Sequence, residues 1–333
     1  MSRRRRRILS GKLYEVSFRC DEGLPLVPTN YMKLITEGIM ARAQHNHPVE
    51  LVNHLFMGNH PHMFAIARDS QQFTLFYGYL QEHLSKATKR LKGMRNLSMF
   101  NTPAQASQVL DLKAAIQRLI YIFTNPTVAH LERTIERYPG LNTWQHLISA
   151  DRDVNAVTSK ECPWVREPMI RKLPRPSLSE RQDLAFTREL RDKTRETHPL
   201  IYNPLGWIRC FVPDASPEFI EECVQEVVEG VRTVEKEQDE WRTREGRKVL
   251  GCNKLRAQSI RKPFTPKKRS PALPFIICSD NKERIAAIEA YKEFCRECDE
   301  AYHAWKIGDY TVEWPPGAFK PAMPPTVNIF WPD

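Results

Sequence analysis

The stretch ELVNHLFMGNHPHMFAIA, residues 50–67, decides the fold. Apolar residues run through both halves of it, and the halves meet at Gly58-Asn59, a pair suited to a tight hairpin turn. We therefore predict two antiparallel strands here. His60 and His62 stand two residues apart, and residues i and i+2 of a strand face the same side of a sheet. Two imidazoles side by side can share one metal ion, although a histidine-rich strand edge is the plainer explanation.

Further strands and helices are predicted on either side of this hairpin from the hydrophobic pattern. Residues 12–20 alternate apolar and polar residues as a strand does, and Thr29 suits the cap of a following helix. Helices are predicted at residues 30–45, 71–91 and 110–125, with an irregular segment or a short strand at 96–110. The order β-α-β-β-α-(β)-α is close to a ferredoxin-like pattern: an α+β fold with one antiparallel sheet and helices on one face.

Proline content divides the chain. There are 25 prolines against 13 glycines, and most of the prolines come after residue 160. We predict that residues 1–150 form the α+β domain and that residues 151–180 are a proline-rich linker. We predict that residues 181–333 form a mainly helical, proline-rich extension of unknown role, with helices at 216–245 and 281–305.

The overall charge favours an anionic partner. The formal net charge is +10, and a positive chain binds phosphate readily because each neutralised phosphate releases a counterion. No stretch approaches the ~20 apolar residues of a membrane span, and no secretory signal is visible. We expect a cytoplasmic, nucleoid-associated protein with its eight cysteines reduced.

Two basic stretches are candidates for contact with DNA. The first is the end of the helix at 71–91, and the second lies within residues 254–269, where we expect a clamp on DNA. A solvated, charged helix end is an equally simple explanation of the first. The cations that we expect to contact DNA are Lys86, Lys89, Arg90, Lys92, Arg95, Lys267, Lys268 and Arg269.

Tyr121 and Asn125 stand four residues apart near the end of a predicted helix, so they share a helix face. Pro126 predicts that this helix kinks or ends there. A tyrosine hydroxyl on that face could attack a phosphate as a covalent nucleophile, and the asparagine oxygen could complete a metal site. A tyrosine that merely packs against the sheet is the alternative. If the helix crosses the sheet above His60 and His62, the histidine pair and the Tyr121–Asn125 pair could form one site. A divalent ion held there would polarise the phosphate.

These residues also resemble a known family. The stretch Met57-Gly58-Asn59-His60-Pro61-His62 is similar to the motif Met-Pro-Asn-His-hydrophobic-His of single-tyrosine transposases. The stretch Tyr121-Ile122-Phe123-Thr124-Asn125-Pro126 is similar to the segment that carries their catalytic tyrosine, which reads Tyr-Ile-x-x-Asn-Pro in the branch associated with repetitive extragenic palindromes, or REPs. The match covers about residues 10–147 in the family's order and spacing.

The resemblance implies Tyr121 as nucleophile, with His60, His62 and Asn125 as ligands of magnesium or manganese. It implies an enzyme that cuts single-stranded DNA near hairpins, joins itself to the 5′-phosphate and transfers the strand. A homodimer is open, because some relatives assemble shared active sites. Pro61 departs from the family's aliphatic residue, and a disturbed site would leave a non-catalytic, domesticated DNA-binding protein. A metal-dependent phosphodiesterase that uses water is a third hypothesis, and it would tolerate Tyr121→Phe.

Overall fold

The structure, a computed structural model, describes residues 5–20, 23–100, 102–263 and 275–323. The strands in this part of the chain are β1 Leu13–Ser17, β2 Glu50–Phe56, β3 Pro61–Ile66, β4 Gln105–Val109, β5 Thr158–Pro163, β6 Thr197–Tyr202 and β7 Ile276–Ile277. Its α-helices are α1 Asn30–Asn46, α2 Ser70–Lys92, α3 Leu112–Val128, α4 Trp144–Ile148, α5 Glu180–Asp192, α6 Gly206–Arg209, α7 Pro217–Arg244, α8 Cys252–Arg256 and α9 Asn281–Lys306.

The predicted hairpin is confirmed and forms the middle of the sheet. Strand β2 pairs antiparallel with β3, from Glu50 opposite Ile66 to Phe56 opposite Pro61. The N–H of Met57 donates to the carbonyl of His60 at 2.9 Å and closes the turn. The full strand order is β5-β6-β2-β3-β1-β4-β7, so β3 lies inside the sheet with β1 as its other neighbour.

Both faces of the sheet are apolar, and helices cover both. Alternate residues of a strand point to opposite faces, so Tyr14 and Val16 of β1 pack in the core under α1 and α2, whereas Leu13 packs in the core under α3 and α7. The α+β class is therefore confirmed, but the expectation of helices on one face is wrong. A sheet that is apolar on both sides must bury both, and the chain from residue 112 onward supplies the second layer.

The chain beyond residue 150 extends this same sheet at both edges. Strand β5 lies within the predicted linker and pairs antiparallel with β6, which pairs parallel with β2. At the other edge β7 pairs parallel with β4. The region expected to be mainly helical therefore contributes strands as well, and the predicted domain boundaries at residues 150 and 180 stay predictions.

Helix α3 does not end at Pro126 but continues to Val128. Proline lacks the N–H that would bond the carbonyl of Ile122 one turn earlier. The side-chain amide of Asn125 donates to that carbonyl at 3.3 Å and to the carbonyl of Tyr121 at 2.9 Å. Asn125 thus supplies the hydrogen bond that the proline cannot, and the last turn stays helical.

Candidate active site

His60 and His62 lie at the start of β3, and their rings are neighbours with centroids 5.1 Å apart. Pro61 between them is the first residue of the strand, a position where a missing N–H is tolerated even inside a sheet. The departure from an aliphatic residue therefore does not break the hairpin. His62 alternates with Met63, which packs under α1 and α2, so the His62 side chain is on the α3 face.

The environment of His62 selects one tautomer of its ring. Its Nδ1 lies 3.0 Å from the Oε1 of Glu15 on β1, and a carboxylate at that place accepts an N–H. The other nitrogen, Nε2, then carries the lone pair. It is buried and has no hydrogen-bond partner within the described part of the chain. A carboxylate that fixes the tautomer of an imidazole is the usual partner of a metal-bound histidine.

His60 has a similar arrangement with a weaker acceptor. Its Nδ1 lies 2.7 Å from the side-chain oxygen of Asn59. Burial, with further contributions from the neighbouring His62 and Arg19, holds the pKa of His60 well below its ordinary value. The ring is therefore neutral at physiological pH, which is the form that binds metals.

Glu15 and Arg118 complete the site, and the sequence analysis did not identify either. Glu15 is 1% exposed. It accepts hydrogen bonds from Nε and Nη2 of Arg118, both at 2.7 Å, in a two-pronged ion pair. Burial by itself would raise the pKa of Glu15, but the hydrogen bonds from His62 and Arg118 outweigh it and hold that pKa below its usual value. A lone glutamate within the apolar strand LYEVS was the available signal.

Tyr121 lies beside these groups, one helical turn after Arg118. Its ring centroid is 5.7 Å from that of His62, and the guanidinium carbon of Arg118 is 4.1 Å from the centroid of the tyrosine ring. The side chain is 44% exposed, so solvent reaches it. The structure thus brings His60, His62 and Tyr121 together. Asn125 lies on the next turn of α3. Its side-chain nitrogen makes the two hydrogen bonds to α3, and its side-chain oxygen takes part in neither of them.

Helix α7 fixes α3 against the sheet from outside. At Gly230 of α7 an added Cβ would lie 2.3 Å from Cδ1 of Ile120, so a larger residue there would force the Ile120 side chain to move. Arg232 bonds both Glu136 and Glu235 and ties α7 to the segment after α3. The region of unknown role therefore helps to position the helix that carries Tyr121.

The described cations that were predicted to contact DNA lie away from Tyr121 and the two histidines. Helix α2 is on the opposite face of the sheet from Tyr121, and Lys86 in it pairs with Glu82. Lys89, Arg90 and Arg95 lie at its surface or beyond its end, in half-exposed to exposed positions. Lys92 is only 8% exposed, because other segments cover this end of the helix, and its contact with DNA stays a prediction. The remaining predicted cations, Lys267, Lys268 and Arg269, lie outside the described residues.

A second group of possible ligand atoms is Asp111, Cys278 and Glu283. Asp111 caps α3, ten residues or about 15 Å along the helix from Tyr121. Its two oxygens accept hydrogen bonds from Ser279 N and Oγ at 2.7 and 2.8 Å and from Ala114 N at 2.8 Å. These bonds account for Asp111 as a helix cap that anchors β7.

No family model matches this sequence, and no curated protein matches it. A solved structure of a REP-associated tyrosine transposase bound to a REP hairpin is similar at 15% identity, with 45% of this chain and 87% of that chain covered. Its TM-score is 0.38, a likeness too slight to carry an argument. Among the described residues no helix is long and apolar enough to cross a membrane.

Proposed function

We propose that this chain is a DNA strand transferase that nicks and rejoins single-stranded DNA beside hairpins, with Tyr121 as the nucleophile. One observation carries the proposal: the buried Nε2 of His62 has no hydrogen-bond partner among the described residues, and its ring is in contact with an exposed tyrosine. A buried polar atom without a partner is costly unless it serves another purpose. Binding a metal ion beside a nucleophile is such a purpose.

The donor set fits a divalent metal. His60 and His62 each have Nδ1 bound to an oxygen, which leaves both Nε2 lone pairs available, and Asn125 would add its amide oxygen. Two imidazoles and one amide oxygen leave coordination positions for water and phosphate, as Mg²⁺ or Mn²⁺ requires. When bound, the ion would polarise the scissile phosphate.

The residues of the chain would perform the transfer. The hydroxyl oxygen of Tyr121 attacks phosphorus, the bond from phosphorus to the 3′-oxygen breaks, and the phenolic proton ends on that leaving oxygen. The product is a 5′-phosphotyrosine ester and a free 3′-hydroxyl, and a new 3′-hydroxyl can reverse the step without ATP. Arg118 holds the tyrosine ring and brings positive charge beside the site where a phosphate would lie. Glu15 orients His62 and Arg118 at once.

One chain contains the whole proposed site, since α3 packs on the sheet that carries its own histidines. A homodimer is therefore not needed for the reaction. We place the activity in the cytoplasm, with the nucleoid as the source of hairpin-forming DNA. The non-catalytic DNA-binding protein and the phosphodiesterase that uses water are the competing functions.

A cleavage assay tests the proposal. End-labelled single strands that carry hairpins are incubated with Mn²⁺ and the wild type, Tyr121→Phe, His62→Leu or Tyr302→Phe, and are resolved on a denaturing gel. Tyr302 is 41% exposed, much like Tyr121, and is the matched control. We expect a protein-linked 5′ product from the wild type and Tyr302→Phe only, with a loss of at least about 1000-fold in Tyr121→Phe. Nicking by Tyr121→Phe would identify the phosphodiesterase, and binding without cleavage by the wild type would identify the non-catalytic protein.

A further inference from the structure

Three segments that are far apart in sequence meet at the C-terminal end of α2. The N–H of Leu173 donates to the carbonyl of Leu91 at 2.9 Å, and Nη2 of Arg261 donates to the carbonyl of Lys92 at 2.7 Å. The side chain of Lys172 lies over Gly93, where an added Cβ would come within 2.4 Å of it. Residues 89–95, 171–175 and 260–263 therefore form one continuous surface.

This surface is strongly positive. The three segments hold nine lysines and arginines and no aspartate or glutamate. Lys92 is buried, and the other eight, which we call the basic patch, are half-exposed or exposed. Within the described part of the chain, Arg171 is the one member of the patch in a salt bridge, with Glu189. The basic patch consists of Lys89, Arg90, Arg95, Arg171, Lys172, Arg175, Arg261 and Lys262.

A helix C-terminus explains only part of this charge. One or two cations in the last turn are favourable because the helix dipole is negative there, by about 0.3–1 kcal/mol each. Lys89 and Arg90 suit that explanation. The cations from the other two segments do not, since like charges at one place repel one another and destabilise the folded chain. Such an accumulation is expected where a polyanion binds.

The basic patch lies at the same end of the sheet as the histidines. The segment after β1 contacts the histidine turn, with Cys20 N donating to Asn59 O at 2.9 Å and Leu26 N to Gly58 O at 3.0 Å. Within that segment, an added Cβ at Gly23 would lie 3.2 Å from Nζ of Lys92. The histidine turn and the end of α2 are thus separated by a single segment of chain.

We propose that the basic patch binds the sugar–phosphate backbone of a DNA stem whose adjoining single strand reaches Tyr121. This inference rests on the proposed function for its choice of polyanion. Phosphate contacts of this kind carry no sequence information and set the position and orientation of the nucleic acid. The patch would therefore hold the stem on one side of the sheet end while the site acts on the strand at the other side.

A salt titration of binding tests this proposal in the full chain. The patch variant Arg90→Ala, Arg175→Ala, Lys262→Ala removes one exposed cation from each segment. The control variant Lys236→Ala, Lys282→Ala, Lys306→Ala removes the same charge from exposed positions on α7 and α9. Binding of a labelled 20-base-pair hairpin with a single-stranded flank is followed by anisotropy from 50 to 300 mM KCl. Circular dichroism and thermal melting check that all variants are folded.

We expect the patch variant to bind at least 10-fold more weakly than the control at 150 mM salt. The slope of log affinity against log salt should fall by about 2.7, that is about 0.9 for each of three lost phosphate contacts. Equal losses in both variants, or an unchanged slope in the patch variant, would overturn the proposal. So would a patch variant that keeps DNA affinity but loses binding to phosphatidylserine vesicles, since the patch would then be a membrane surface.

Failure of this inference and failure of the proposed function give different results. Tyr121→Phe should lose the covalent product while its affinity and salt slope stay at the wild-type values. If the wild type never cuts but the patch variant still loses affinity and slope, the patch proposal holds and the transferase proposal does not. If the wild type cuts and both triple variants bind alike, the reverse is true.

Discussion

Two buried histidines, His54 on β2 and His62 on β3, show how one residue type serves two purposes. They lie on adjacent strands but on opposite faces of the sheet. His54 is 2% exposed, packs against Phe56 and Tyr202, and has no hydrogen-bond partner for either ring nitrogen among the described residues. His62 has Glu15 at one nitrogen and Tyr121 beside its ring. The comparison teaches that a buried carboxylate and an accessible nucleophile, rather than burial, distinguish a candidate ligand from a core histidine.

The largest expected difference between the two histidines is in metal binding. His62→Leu removes a proposed ligand, so we expect Mn²⁺ affinity to fall by at least about 100-fold. His54→Leu should leave that affinity unchanged, because its ring faces the apolar core under α1 and α2. Isothermal titration with Mn²⁺ measures both variants. An equal loss in both would mean that the comparison between the two sites is wrong.

The second prediction concerns the carboxylate that sets His62 apart. Glu15→Gln keeps the size of the side chain but removes the charge that orients His62 and Arg118, so we expect Mn²⁺ to bind about 10-fold more weakly. Glu50→Gln is the matched control, because Glu50 on β2 also forms an ion pair with an arginine, Arg209, at 2.6 Å. Wild-type Mn²⁺ affinity in Glu15→Gln, measured by the same titration, would remove Glu15 from the proposed site.

The third prediction concerns the free energy of unfolding below neutral pH. Burial lowers the pKa of His54 to about 3, with a further contribution from His146, whereas an unfolded histidine titrates near 6.5. Between these values the unfolded chain binds the extra proton, so stability is lost as the pH falls below about 6.5. From pH 7 to pH 5 this amounts to about 2 kcal/mol for one histidine.

His54→Leu should remove this loss at His54. His60, whose pKa is also lowered, would still contribute a loss of its own in the variant. Urea unfolding at pH 7 and pH 5 gives the difference between wild type and variant. A variant that loses as much stability as the wild type would show that His54 is not held neutral by burial.

Local features of the fold were predictable because they depend on neighbouring residues. Gly58-Asn59 specifies the turn, and Thr29 caps α1 by accepting from Met32 N at 3.3 Å. The limits of β2 and β3 follow from the same stretch. Strand β5 was missed since Pro163, its last residue, and the prolines that follow it suggested a linker. Its partner β6 comes from more than thirty residues later. Such a partner is invisible to a local pattern.

In the candidate site, too, some features follow from local spacing and others depend on tertiary contacts. Spacing alone predicted that His60 and His62 lie side by side on the sheet and that Tyr121 and Asn125 share one face of a helix. The structure shows both arrangements. The pairing of Glu15 with His62 and Arg118 depends on β1 lying next to β3 with α3 across them, and no local spacing reports that. The roles of these residues in catalysis stay predictions.

By itself the sequence determined the residue types and the local geometry: the hairpin, the two histidines on one side, the tyrosine and asparagine on one turn, and an excess of positive charge. Only the tertiary structure decided which of these groups are buried, which are paired and which lie together. It covered Lys92 and gathered the basic patch from three distant segments. It also left Nε2 of His62 without a hydrogen-bond partner in the part of the chain that the structure describes. The physical reason is that burial and ion pairing depend on contacts between residues far apart in the chain, whereas turns, caps and side-chain alternation depend on neighbours.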